Sequence, residues 1–329
     1  MVMAYNHFIG RKISVGLGFE TTPGTSVAPT TWIRTLNPDI TDNPTFVDNN
    51  SALGRIEDSD DQALVKQMAT GKVEGKITDL SIGYVLGNIF GSWASALHTG
   101  ETAVYDATFT TSQSSTPPTL TLVKKDGVET KRYPLTTLSD VELSATAGDW
   151  VKFSASFMSK VGVTGTDTPA YTVENEFTSK HVTVKLANNI AGLGAALAIP
   201  LVSFKLKIDR KPTDFTPLGA IDPAVFDTTS WVVTGEMVLR YDASTYHDLT
   251  FANTPQALSI AVVNGDVNIG ATSHPGLTFT APRARLNTWA TDSNLDKVVD
   301  QTVGFKLNLD ITAGYMLQAV LTNTKAIYA

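Results

Sequence analysis

Leu201-Val-Ser-Phe-Lys-Leu-Lys-Ile208 places Leu201, Ser203, Lys205 and Lys207 on one side of an extended chain and Val202, Phe204, Leu206 and Ile208 on the other. A period of two with one wholly apolar set is the pattern of a strand half-buried against a core. The same alternation, enriched in Thr and Val, runs through residues 150–158, 231–241, 277–286 and 303–309. The chain is therefore predicted to be mostly β. Between residues 120 and 133, Asp126-Gly127 supplies the positive φ angles of a two-residue turn and predicts a hairpin.

One segment breaks the pattern. Ile82, Val85, Leu86, Ile89, Phe90 and Trp93 fall at steps of three and four, which predicts a helix over 81–97 with a single apolar stripe and Ser81 as its cap. Gly83, Gly87 and Gly91 would each cost an isolated helix about 1 kcal/mol relative to Ala. Packing must therefore hold it, with another element close to its backbone. Residues 48–67, DNNSALGRIEDSDDQALVKQ, are polar and aperiodic. A loop of that length inside a compact domain usually has a task.

The two halves of the chain echo each other. Pro44-Thr45-Phe46, Thr70-Gly71, Tyr84 and Phe90 correspond to Pro212-Thr213-Asp214-Phe215, Thr234-Gly235, Tyr246 and Phe251. A second strand group follows each, at 141–158 and 277–309. The expectation is two related domains, 1–165 and 166–329, joined where Gly, Thr and Pro cluster at 162–169. At 329 residues the chain is long enough for both to bury a core.

Composition narrows the function. Hydrophobic residues make up 42% and charged residues 17%, so the chain is globular and leaves much neutral surface for contacts. A net charge of −7 argues against holding nucleic acid through its phosphates. The absence of cysteine removes disulfides, thiolate catalysis and zinc–cysteine sites together. Residues 1–11 lack the apolar core of a signal peptide, and the longest apolar stretch, 190–202, is too short for a bilayer. A soluble protein made in a cytoplasm, without membrane contact, is expected.

Chemical motifs are missing. Gly16-Leu-Gly18 has Thr21 where the dinucleotide fingerprint needs Gly. His7, His98, His181, His247 and His274 are scattered, without metal-ligand spacing. Glu57-Asp58-Ser59-Asp60-Asp61 lacks the turn glycine and distal Glu of a calcium loop, so it reads as a solvated acidic loop seeking basic groups on another subunit. No nucleophile elbow occurs. A carboxylate pair on a β-sandwich leaves no motif, which keeps a glycosidase as a third alternative. The reading is of no catalytic, cofactor or metal site.

The opening His7-Phe-Ile-Gly-Arg-Lys-Ile-Ser-Val-Gly-Leu-Gly-Phe-Glu20-Thr-Thr-Pro-Gly-Thr25, followed by Thr31-Trp32-Ile33, resembles the start of siphophage tail tube (major tail) proteins. There a strand leads into a Glu-x-x-x-Gly-Thr turn and an aromatic-bearing second strand. A long polar loop with Leu53-Gly54-Arg55, a strand opening at Gly71-Lys-Val-Glu-Gly75, the glycine-studded helix and the ending Leu321-Thr-Asn-Thr-Lys-Ala-Ile-Tyr328 are similar too.

The resemblance implies a structural subunit without catalysis or cofactor: tandem β-sandwich or half-barrel folds, each with a flanking helix, whose sheets join those of neighbours into a barrel. Joining exposed edges in this way removes them. If the echo is a duplication, three chains complete a pseudo-sixfold ring; otherwise six do. Stacked rings would form the conduit for DNA ejection in the virion tail, assembled in the host cytoplasm. Tail terminator, tape measure and distal tail proteins are the implied partners, and DNA only passes through. Leu53, Gly54, Arg55, Glu57, Asp58, Asp60 and Asp61 become candidates for contact between rings, and an acidic balance suits a bore that repels phosphate.

The alternative is a β-sandwich binding module, a virion decoration or adhesin, that recognises a host-surface ligand. Trp32, Trp93, Trp150, Trp231 and Trp289 would stack on sugars in that case, but Trp93 and Trp150 fall in core-like patterns.

Overall fold

In a computed structural model describing residues 7–328, the stretch 201–208 lies in a strand that buries Phe204, Leu206 and Ile208 and exposes Lys205 and Lys207. The chain opens with β1 (Ser14–Phe19), β2 (Thr31–Ile33), β3 (Thr35–Asp48) and β4 (Gln62–Lys76), then helix α1 (Ile82–Phe90). β5 (Gly91–Leu97), β6 (Tyr105–Thr111), β7 (Leu120–Lys125), β8 (Thr130–Thr146), β9 (Lys152–Ser159) and β10 (Val163–Thr164) follow. After the linker come β11 (Val182–Ala187), β12 (Leu201–Asp209), β13 (Pro212–Phe215), β14 (Val225–Thr228) and β15 (Val232–Arg240). Helix α2 (Thr245–Ala252), β16 (Gln256–Val263), β17 (Gly276–Asp292), β18 (Asp300–Leu307) and β19 (Gln318–Asn323) end the chain. Among the described residues, seventeen strands join in one hydrogen-bonded network, and β13 and β14 form a separate pair. The fold is mostly β and antiparallel.

The pairing scheme occurs twice. In the first half the order is β3, β4, β9, β8, β7, β1; in the second it is β12, β15, β18, β17, β16, β11. Irregularities recur at matching places. One lies between Thr35 and Asn37 in β3 and between Leu201 and Ser203 in β12. Another lies between Leu138 and Asp140 in β8 and between Leu286 and Thr288 in β17. A third separates Leu120 from Leu122 in β7 and Gln256 from Leu258 in β16.

β8 and β17, each 17 residues long, pass from one layer to the other. Both carry a proline, Pro134 and Pro282, where the pairing partner changes. Proline is tolerated there because the ladder is already interrupted.

Several expectations about local structure are corrected. The helix ends at Phe90 rather than 97, because Gly91 adopts φ 76° and its N–H closes on the Gly87 carbonyl. Gly supplies that left-handed cap without a Cβ penalty. Trp93 then belongs to β5, stacked on Phe19 at 4.6 Å. Ser81 does not cap the helix; it donates to buried Glu174 at 2.9 Å, whose carboxyl burial pushes above the ordinary range.

The long polar loop is present at 49–61 but is shorter than 48–67, because Asp48 and residues 62–67 belong to the β3–β4 hairpin. The Asn49 N–H on the Asp61 carbonyl, at 2.8 Å, closes the base of this loop. The hairpin at 126–127 forms, but through four residues. Asp126 Oδ1 accepts the N–H groups of Val128 and Glu129, so the aspartate side chain shapes the turn. Trp150 is 38% exposed beneath Lys76, outside the core.

Candidate assembly surfaces

Eight strands lie side by side in the order β3, β4, β9, β8, β12, β15, β18, β17. One face of this run is apolar and buried, with Val73, Val141, Phe157, Leu206, Met237 and Phe305. Strand alternation sends the opposite set outward, and it mixes charge. Lys72 pairs with Glu74 at 2.6 Å, which raises the lysine pKa; Lys207 lies 3.8 Å from Asp140, and Arg240 lies 3.0 Å from Asp300. The face is sign-balanced rather than lined by carboxylates.

In the middle of the run, β12 of the second half pairs with β8 of the first. Ser203 stands opposite Thr146, Leu206 opposite Leu143 and Asp209 opposite Asp140. Ala147 donates to the Val202 carbonyl and Arg210 donates to the Ser139 carbonyl, both from main-chain N–H. Even-numbered positions of β12 and odd-numbered positions of β8 therefore point their main-chain groups into this joint.

The ends of the run have no such partner among the described residues. β3 pairs only with β4. The last part of β17, past Leu286, pairs only with β18. Pro38 and Pro44 lie on β3. A proline on an edge strand withholds a donor and limits indiscriminate pairing.

The β3–β4 hairpin extends beyond the sheet. Phe46, Val47, Leu53 and Ile56 are exposed, Ile56 completely at 102%. Gly54 takes φ 71° at the tip, and Arg55, Glu57, Asp58, Asp60 and Asp61 are all exposed around it. The base of the arm is held by the second half. Gln67 donates its main-chain N–H to the Ile221 carbonyl and its side-chain amide to Asp222, each at 2.8 Å, and Lys66 pairs with Asp214.

A family described as phage tail tube protein matches residues 10–319. The chain belongs to the phage tail tube protein family. It is a structural protein of the bacteriophage tail tube, located in the virion tail. No individual curated protein matches it.

In this tail tube protein the helix residues Ile82, Val85, Leu86, Ile89 and Phe90 meet in one core, each at most 2% exposed. Trp93 packs at its margin. The whole of α1 is buried, which a single stripe does not predict. A Cβ on Gly83 would stand 2.2 Å from the Tyr328 ring and one on Gly87 2.7 Å from Phe19. Close approach explains those glycines.

Several polar anchors escaped the sequence reading. Asn88, fully buried, donates to the Pro118 carbonyl at 2.9 Å and accepts the Leu138 N–H at 2.8 Å, fastening α1 to β8. Arg210, 2% exposed, donates to the Asn88 carbonyl and to Thr228, tying the second half to α1. Burial lowers its pKa to about 10. Glu20, the acid of the opening motif, accepts from Gly24, Thr119, Thr121 and Leu135 and so locks the turn onto β7 and β8. Within the linker, Asp167 grips Arg132 through two bonds of 2.7 and 2.6 Å.

Proposed function

We propose that the two halves are tandem tube folds, divided near residue 165, and that three copies close a pseudo-sixfold ring whose stacking makes the conduit for DNA ejection. One observation carries this reading: the two halves share a pairing scheme and are joined by a β-ladder from β8 to β12, while the two ends of the run remain open. A joint that already works once within a chain can be reused between chains, which closes the edges.

The polar face then lines the bore. Lys72, Lys207 and Arg240 on that face lie beside Glu74, Asp140 and Asp300, so a passing phosphate backbone meets a surface of mixed sign rather than a wholly basic strip. The protruding β3–β4 hairpin, with Leu53, Gly54, Arg55, Glu57, Asp58, Asp60 and Asp61 at its tip, is assigned to contact with the next ring. A terminator and distal tail proteins would cap the tube and a tape measure protein would occupy it during assembly in the host cytoplasm.

Electron microscopy at rising concentration, with mass measurement of isolated rings, tests the proposal. Rings of three chains are expected. Rings of six would refute the duplication and leave the tube, whereas a protein that stays monomeric at every concentration would overturn the assembly reading.

A further inference from the structure

We infer which edges join between copies, and in what register: β3 of one chain lies antiparallel to the end of β17 of the next, with Thr41 opposite Ala290. The inference rests on the ring reading above and deepens it.

The register follows from the internal joint. Ile40 stands opposite Gly71 in the first half, and Leu206 stands opposite Gly235 in the second. The irregularities after Thr35 and after Leu201 fall at the same distance from those pairs. β3 therefore superposes on β12 with Ile40 on Leu206. Likewise Phe157 opposes Leu138 and Phe305 opposes Leu286, each just before a bulge. β8 therefore superposes on β17 with Leu138 on Leu286.

Internally, Leu206 opposes Leu143 and Lys207 opposes Glu142. Transferring both superpositions gives Ile40 opposite Thr291, Thr41 opposite Ala290, Asp42 opposite Trp289 and Asn43 opposite Thr288.

The chemistry of the two edges fits a reversible joint. At the internal joint Leu206 and Leu143 are buried; their counterparts are half-buried Ile40 and exposed Thr291. Pro38 and Pro44 fall at outward-pointing positions and lack a donor, so Ile40 and Asp42 supply the main-chain N–H groups between them. Asp39 faces Asp292, a like-charge pair that weakens pairing. Lys72 beside Asp39 and Arg240 near Asp292 moderate it. The joint is thus more polar and sparser in hydrogen bonds than the one inside the chain.

The cysteine-free sequence permits a direct test. Thr41→Cys and Ala290→Cys sit at a predicted non-hydrogen-bonded pair, where side chains of opposite strands come closest. Oxidation of tubes from the double variant should yield covalent dimers and trimers on a non-reducing gel, and mixed single variants should yield only dimers. Thr41→Cys with Thr288→Cys reports a two-residue slip. Tubes that cross-link at the slipped pair, or at neither, overturn this joint and leave the tube reading standing. Thr291→Pro supplies a second measurement: it removes an outward N–H and should abolish rings at an unchanged melting temperature. Normal rings from that variant also overturn the joint. Failure of the unmodified protein to form rings would instead strike the parent reading.

Discussion

Phe157 lies across Gly71, so that a Cβ at position 71 would stand 2.8 Å from its ring and 2.3 Å from the Asp39 carbonyl. Phe305 lies across Gly235 in the same way, at 2.2 Å, with the Lys205 carbonyl at 2.5 Å. In both halves a strand glycine leaves room for an aromatic ring from the next strand. The Thr-Gly echo in the sequence is the trace of this contact.

Gly71→Ala and Gly235→Ala should each destabilise the subunit by about 1–3 kcal/mol, since neither ring nor backbone can yield without strain. Gly265→Ala, which meets nothing within 4 Å, is the control. Thermal melting measures all three. Equal midpoints for parent and the two strand variants would mean that the rings move aside freely.

Phe90→Ala should cost about 3–5 kcal/mol, the range for a buried phenylalanine that leaves a cavity. Phe90 is 1% exposed and packs against Trp231 at 5.3 Å and Phe109 at 6.4 Å. The loss would appear in denaturant unfolding of the free subunit. An unchanged midpoint would place the ring outside the core.

What the sequence revealed depended on burial. Strand β12 was legible because one face is buried and the other wet, so its residues alternate. β3 was not, because both faces of the arm meet solvent and Pro38 and Pro44 interrupt any pattern. The spacing predicts a helix running past Phe90 to 97 because Trp93 continues the stripe at a step of three. Only the φ of Gly91 ends it, and a glycine already repeating every four residues gives no warning. Asn88, Arg210 and the β8–β12 joint depend on partners far along the chain, which local spacing does not encode.

Glu101 gives the molecule an acid-sensitive clamp. Its carboxylate accepts the N–H groups of Ala271 and Thr272 and the Ser273 hydroxyl, and these bonds lower its pKa to about 2. A depressed carboxylate contributes stability that is present above its ordinary pKa and is lost as pH falls toward the folded value. Melting temperature between about pH 4.5 and pH 2 should therefore fall less steeply in Glu101→Gln than in the parent. Parallel profiles would show that the clamp does not contribute.

The hairpin tip separates ring formation from stacking. Leu53 and Ile56 are 59% and 102% exposed, so Leu53→Asp with Ile56→Asp removes no core contact and should leave the unfolding free energy of the subunit within about 0.5 kcal/mol of the parent. If the tip docks on the next ring, the two apolar side chains lose water there, and new carboxylates beside Glu57, Asp58, Asp60 and Asp61 would oppose that docking by repulsion and desolvation. Rings should still close, because the tip lies far along the arm from the edge pairs proposed to join neighbours. Sedimentation should show isolated rings in place of tubes, and micrographs should show them unstacked. Protease should cut the tip in these rings as readily as in free subunits, while parent tubes resist. Tubes of parental length from the double variant would assign stacking to another surface and leave the arm without that role.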